Sequence, residues 1–254
     1  RYLIDAQGHP FHMQGDSPWD LVAQLTDSEI EMYLNDRQAR GFDAVLVELM
    51  EHMNWSPLSH APNNAYGDPP FNTPGDFATP NEAYMAHVEA MLQKARDRGI
   101  VVLLTPAYMG DGGGSQGWYA EMQANGPAKL RAFGQYLATR FRSYDNIIWV
   151  HGGDFTPPEN DLMRAIAEGI RDVDTKWLHT FHGDRQTSAL GFLGTSEPWL
   201  SLNDIYTDAE TVTGNAFTEY NRSTMPFFLI EDDYESNGGD GHLVRLQSYQ
   251  ATLS

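Results

Sequence analysis

The sequence contains no cysteine, so disulfides, thiolate nucleophiles and zinc–thiolate sites are excluded. Cations are scarce: sixteen Lys and Arg stand against 35 Asp and Glu, a formal net charge of −19 over 254 residues. A chain this anionic repels a phosphate backbone, which excludes nucleic acid as a partner class. No apolar run approaches the roughly 20 residues that cross a bilayer, so no membrane span is expected. The glycines at 112–114 are not followed by Lys-Ser/Thr and open no helix, so they make no phosphate-binding loop and read as a flexible lid. Internal repeats and low-complexity tracts are missing too.

What the chain does have is an alternation of short apolar runs and amphipathic stretches. Strands are expected at 11–15, 44–50, 100–105, 147–150, 178–182, 200–206 and 226–230. Helices are expected after Thr26, whose partner Glu29 completes a capping box, and at 81–98, 126–142, 159–173, 217–222 and 241–253. The stretch 183–199 shows no helical pattern. Residues 51–80 carry six prolines and no periodicity, as in a long functional loop. Strand–helix alternation with helical crossovers predicts a parallel sheet, and seven repeats favour a TIM (β/α)8 barrel over an open sheet. The expectation is a single domain over 1–254, with the eighth strand and helix missing from its C-terminal end.

In a barrel the chemistry sits at the C-terminal ends of the strands. That rule selects Asp16 and Trp19, Glu48, Glu51 and His52, Tyr108, His151 and Asp154, His179 and His182, Tyr206, and Glu231. Carboxylates after the fourth and seventh strands, Asp154 and Glu231, could flank one glycosidic bond as acid/base and nucleophile. Each has a plainer reading, since Asp after Gly-Gly is often a turn residue and Glu231 opens an acidic run. A metal site is disfavoured, because His179 and His182 stand three apart on a strand and point to opposite faces. Asp233, Glu235 and Asn237 begin like an EF-hand loop, but the twelfth position is Val244, where a bidentate Glu is required. No cofactor is expected.

Gly15-Asp16-Ser17-Pro18-Trp19 resembles the Gly-Asp-Thr-Ala-Trp signature of the apiosidase-like glycoside hydrolases, a bacterial group of TIM-barrel enzymes. Arg1-Tyr2-Leu3-Ile4-Asp5 with Gly8 and Pro10-Phe11 is similar to that family's opening hairpin. Ile148-Trp149, Gly152-Gly153-Asp154 and the run Glu231-Asp232-Asp233-Tyr234-Glu235 are similar to its fourth- and seventh-strand motifs. The resemblance implies a retaining glycosidase that releases a terminal sugar, an apiose-like furanoside or another β-glycoside, from plant or bacterial polysaccharide. It implies Asp154 as acid/base and Glu231 as nucleophile, with Asp16 and Trp19 in the sugar subsite. His151, His182, Tyr206 and Glu235 are further candidates for sugar contact or for orienting Glu231. A carbohydrate substrate outside the cytoplasm, periplasmic or extracellular, is the expected setting. Two competing readings are a non-catalytic carbohydrate-binding barrel using Trp19, Trp118 and Tyr206 as platforms, and a metal-dependent hydrolase on the same fold.

Overall fold

The computed structural model describes residues 2–52, 60–195, 197–234 and 240–253. The chain forms two compact units, residues 13–179 and residues 1–12 with 180–254. It opens with an antiparallel pair, β1 (Leu3–Ile4) and β2 (Pro10–Phe11), in the smaller unit.

The larger unit is built on parallel strands. In chain order its elements are β3 (Gly15–Asp16), α1 (Leu21–Gln24), α2 (Asp27–Ala39), β4 (Ala44–Glu48), α3 (Glu82–Arg96), β5 (Val101–Thr105), α4 (Tyr119–Arg140), β6 (Ile147–Gly152) and α5 (Asp161–Val173). Strands β3, β4, β5 and β6 are neighbours in that order and parallel; β7 (Leu178–His182) comes next in the chain, where one unit ends at His179 and the other resumes at Thr180. Every residue of β4 and β6 is buried. This is why they read as unbroken apolar runs: a parallel strand covered on both faces has no solvent side to alternate toward. Helix α5 buries Leu162, Met163, Ile166, Ala167 and Ile170, one stripe at helical spacing. Thr26 caps α2 as expected, its N–H donating to Glu29 Oε2 at 2.9 Å while its side chain accepts from the Glu29 N–H.

In the smaller unit β8 (Thr187–Ser188), α6 (Ala189–Leu193), β9 (Asn203–Tyr206), α7 (Val212–Arg222), β10 (Phe227–Glu231) and α8 (Gly241–Leu253) follow. Strand β9 pairs parallel with β10 and antiparallel with β8. The β9–β10 register slips between Leu229 and Glu231, a bulge immediately before the last residue of the strand. Bulges of this kind re-aim the side chain that follows.

Three local expectations change. Helix α4 begins at Tyr119 and not at 126; its backbone breaks at Gly126, φ 72°, and resumes at Pro127. Gly-Pro reads as a start signal, so it hid the helical turns in front of it. Helix α6, started by the Ser188 side chain accepting from Gly191 N–H at 3.0 Å, occupies a stretch too short to show a period. The glycine-rich lid is a closely packed turn: a Cβ on Gly117 would lie 2.1 Å from the Gly110 nitrogen.

Candidate active site

In the larger unit β6 delivers Asp154. Gly152 and Gly153 take φ of 100° and 121°, and Asp154 itself takes φ 46°. A left-handed Asp is uncommon, and such conformations persist where the surrounding structure holds them. Here the hold is Tyr108, whose hydroxyl donates to Asp154 Oδ2 at 2.7 Å. Tyr108 reaches that place because residue 153 is glycine: a Cβ there would sit 2.2 Å from the tyrosine ring. Trp19 meets the same ring at 5.8 Å between centroids, and its carbonyl accepts from the Glu48 N–H at 2.9 Å. Glu48, the last residue of β4, is only 2% exposed. Burial first, then the carboxyls of Asp20, Glu51 and Asp154, push its pKa well above the usual carboxylate range. Trp19, Tyr108, Glu48 and Asp154 therefore make one cluster.

Asp16 and His151 are engaged by other partners. Asp16 Oδ2 accepts from Tyr33 Oη and Arg37 Nη1, both at 2.6 Å, and Oδ1 accepts from Ser17 N–H at 2.9 Å. This carboxylate ties the first parallel strand to α2. Burial, reinforced by Asp16, raises the Tyr33 pKa, so the phenol stays a donor. His151 Nε2 lies 3.0 Å from His179 Nδ1, with the rings 6° from parallel. Burial lowers both pKa values, that of His179 to about 3, which makes the pair neutral at neutral pH.

In the smaller unit β10 ends on Glu231, 8% exposed and just past the bulge. Its Oε2 lies 2.7 Å from His182 Nε2, and its Oε1 accepts from Tyr234 Oη at 2.7 Å. His182 Nδ1 faces the carbonyl of Gly183 at 3.1 Å. A carbonyl only accepts, so Nδ1 carries a hydrogen, and the Nε2–Oε2 contact needs a second one. Tyr206 packs on the His182 ring at 5.1 Å and under the Arg185 guanidinium at 5.0 Å. Arg185 in turn pairs with Asp208 and, at 3.0 Å, with Asp233. Asp204, buried on β9, has its pKa raised to about 7, chiefly by burial.

The structure brings His182, Tyr206 and Glu231 together, and places Trp19 beside the tyrosine that holds Asp154. Glu235 lies outside the described residues, as do the central positions of the discounted calcium loop. His179 and His182 serve different partners, as their spacing on the strand required. Trp118 is no platform: it is 4% exposed, donates from Nε1 to the Met50 carbonyl at 3.0 Å and packs edge-on to Phe71 and Phe77. Glu48 and Tyr108 stand among the strand-end residues the barrel rule selects, without a role of their own, and Tyr234 appears only within the Glu231–Glu235 motif. The signal for Glu48 is a carboxylate ending the apolar run of β4, and that for Tyr234 a tyrosine three residues beyond Glu231.

A parallel α/β fold with carboxylates at its strand ends, in a chain matched by a glycosidase family, is a catalytic domain of the glycoside hydrolase class. More particularly, the chain belongs to the apiosidase-like catalytic domain family, which matches residues 1–254. A glycoside hydrolase family 5 protein from Bacteroides vulgatus is similar in structure, with TM-score 0.82 and 23% identity over 99% of this chain and 58% of that one. A second glycoside hydrolase gives TM-score 0.80 and 22% identity over 99% of this chain and 61% of its own. An endo-1,4-β-D-mannanase from Thermotoga petrophila gives TM-score 0.66 at 10% identity, over 95% and 85% of the two chains. The chain thus spans about six-tenths of the first two structures. No curated protein matches it in sequence.

Proposed function

We propose that the protein is a retaining glycoside hydrolase that removes a terminal sugar, an apiose-like furanoside or another β-glycoside, from a plant or bacterial polysaccharide. The observation that carries this is the setting of Glu231. A bulged strand end presents its carboxylate, and an imidazole and a phenol grip one oxygen each at 2.7 Å. A nucleophile of fixed orientation, its charge complemented by donors, is what the first displacement needs. Glu231 attacks the anomeric carbon and its carboxylate becomes the ester of a glycosyl-enzyme. Asp154, fixed by Tyr108, gives its proton to the departing oxygen, then takes one from the water that cleaves the ester. The net charge of −19 disfavours a polyanionic substrate, so a neutral glycoside is the better fit.

A panel of 2-deoxy-2-fluoro glycosyl probes, furanosides included, tests the assignment by intact mass and peptide mapping. A stoichiometric adduct on Glu231 is expected, and an adduct on any other residue refutes it. On the substrate so identified, Glu231→Ala and Asp154→Ala should each lose several orders of magnitude in kcat. Near-normal turnover in either ends the two-carboxylate reading.

A further inference from the structure

Within residues 180–254, three side chains of the site stand at strand ends: His182 closes β7, Tyr206 closes β9 and Glu231 closes β10. Arg185 ties together the loops that leave those ends. Its Nη1 donates to Asp208 Oδ1 and, at 3.0 Å, to Asp233 Oδ1, carboxylates that each stand two residues past a strand end. The Ala209 N–H adds a bond to the other Asp233 oxygen at 3.2 Å. The residue beside the arginine is strained: Gln186 takes φ 66° without being glycine. Its N–H donates to the Tyr206 carbonyl at 2.8 Å, and its amide oxygen accepts from Thr207 Oγ1 at 3.1 Å and Asn215 Nδ2 at 2.9 Å. Such a conformation persists where the surroundings over-determine it, as this network does. The outcome is a guanidinium set over the Tyr206 ring at 5.0 Å, and that ring in turn meets the His182 imidazole at 5.1 Å.

We propose that Arg185 is a positioning residue for the nucleophile, clamped by Asp208 and Asp233 so that Tyr206 backs the His182 imidazole on Glu231. The inference rests on the reading of Glu231 as nucleophile. Stability is a poor account of the clamp. The side chains of Arg185, Asp208 and Asp233 are 37%, 41% and 25% exposed, and ion pairs that exposed contribute little to folding. One aspartate would balance the guanidinium charge; two, from different loops, fix where it lies. His182 holds Glu231 Oε2 at 2.7 Å, so any turn of the imidazole turns the carboxylate with it. Attack on an anomeric carbon needs that oxygen in line with the bond that breaks. A small tilt therefore slows the first displacement more than it weakens sugar binding. On this account Arg185 acts through Tyr206 and His182 and makes no contact with the sugar.

The test follows formation of the glycosyl-enzyme with the fluoro sugar that labels Glu231, which yields a maximal labelling rate and a half-saturating concentration. Arg185→Gln should lower the maximal rate about tenfold and leave the half-saturating concentration within about twofold. A raised half-saturating concentration at the parent's rate would make Arg185 a sugar contact and overturn the clamp, as would no change in either value. Arg185→Lys keeps a charge for the aspartates but has no plane to lay on Tyr206. It should hold the parent's thermal midpoint and still label more slowly. Labelling at the parent's rate in this variant refutes the proposal, even where Arg185→Gln does not fold. In a His182→Gln background, Arg185→Gln should add less than about twofold, because the link it acts through is gone; a further tenfold loss there overturns the relay. Absence of any label on Glu231 in the parent overturns instead the reading beneath it.

Discussion

Two tyrosines reach the two carboxylates at the same distance, Tyr108 to Asp154 and Tyr234 to Glu231, each at 2.7 Å. A hydrogen bond to a charged group contributes about 1.5–3 kcal/mol, so losing one aligned with the reacting carboxylate should cost roughly 10–100-fold in rate. Tyr234→Phe keeps the ring and removes only the donor. Its kcat should fall within that range while its thermal midpoint stays close to the parent's; an unchanged kcat would show that the phenol does not serve the reaction. Gly153→Ala should be harsher. The new methyl collides with the Tyr108 ring and the residue must hold φ 121°, so both stability and activity should drop, by about 2 kcal/mol or more in urea unfolding. The carboxylates themselves were legible because they end apolar strands inside recognisable motifs. Their tyrosine partners were not equally so: Tyr108 lies 46 residues from Asp154, and only the folded sheet brings the two together. The same applies to Asp16, whose ties to Tyr33 and Arg37 are made by the packing of α2 and not by spacing.

At the level of elements, what could be read was what local chemistry dictates. The Thr26–Glu29 box set the start of α2, and β4, β5 and β6 announced themselves as buried apolar runs. Thr26→Ala should cost about 1 kcal/mol, measured as a lower urea midpoint at unchanged slope, and Thr26→Ser should restore most of it. A full effect from Ser would instead assign the loss to the threonine methyl. What escaped reading were elements whose cause is tertiary. Trp118, the residue just before α4, packs with Phe71 and Phe77, and nothing in 119–125 signals helical turns ahead of the Gly-Pro break. In the loop at 110–117 glycine permits both flexibility and close approach, and the fold uses the second. Sequence alone does not distinguish them, whereas the position of the Phe155 ring, 2.9 Å from where a Cβ on Gly113 would lie, does.

Over the whole molecule, buried titratable groups pull the pH dependence of stability in opposite directions. Asp204 has a folded pKa of about 7 against roughly 3.9 in an unfolded chain. The folded state then keeps a proton that the unfolded state has released, so this stabilisation is complete below about pH 4 and is lost as pH rises toward 7. His179 behaves conversely, with a folded pKa of about 3 against an unfolded value near 6.5. Between those values the unfolded chain binds the proton and the folded one does not. Its contribution is therefore complete above about pH 6.5 and shrinks as pH falls toward 3, by at most about 1.4 kcal/mol per pH unit. His179→Gln removes the titration while leaving an amide that can still hydrogen-bond to His151. Urea unfolding of both proteins between pH 4 and 7 should show the parent losing stability relative to the variant as pH falls. A constant difference across that range would mean that His179 is not held neutral by burial, and the expected loss of stability in acid would not come from the buried imidazole pair.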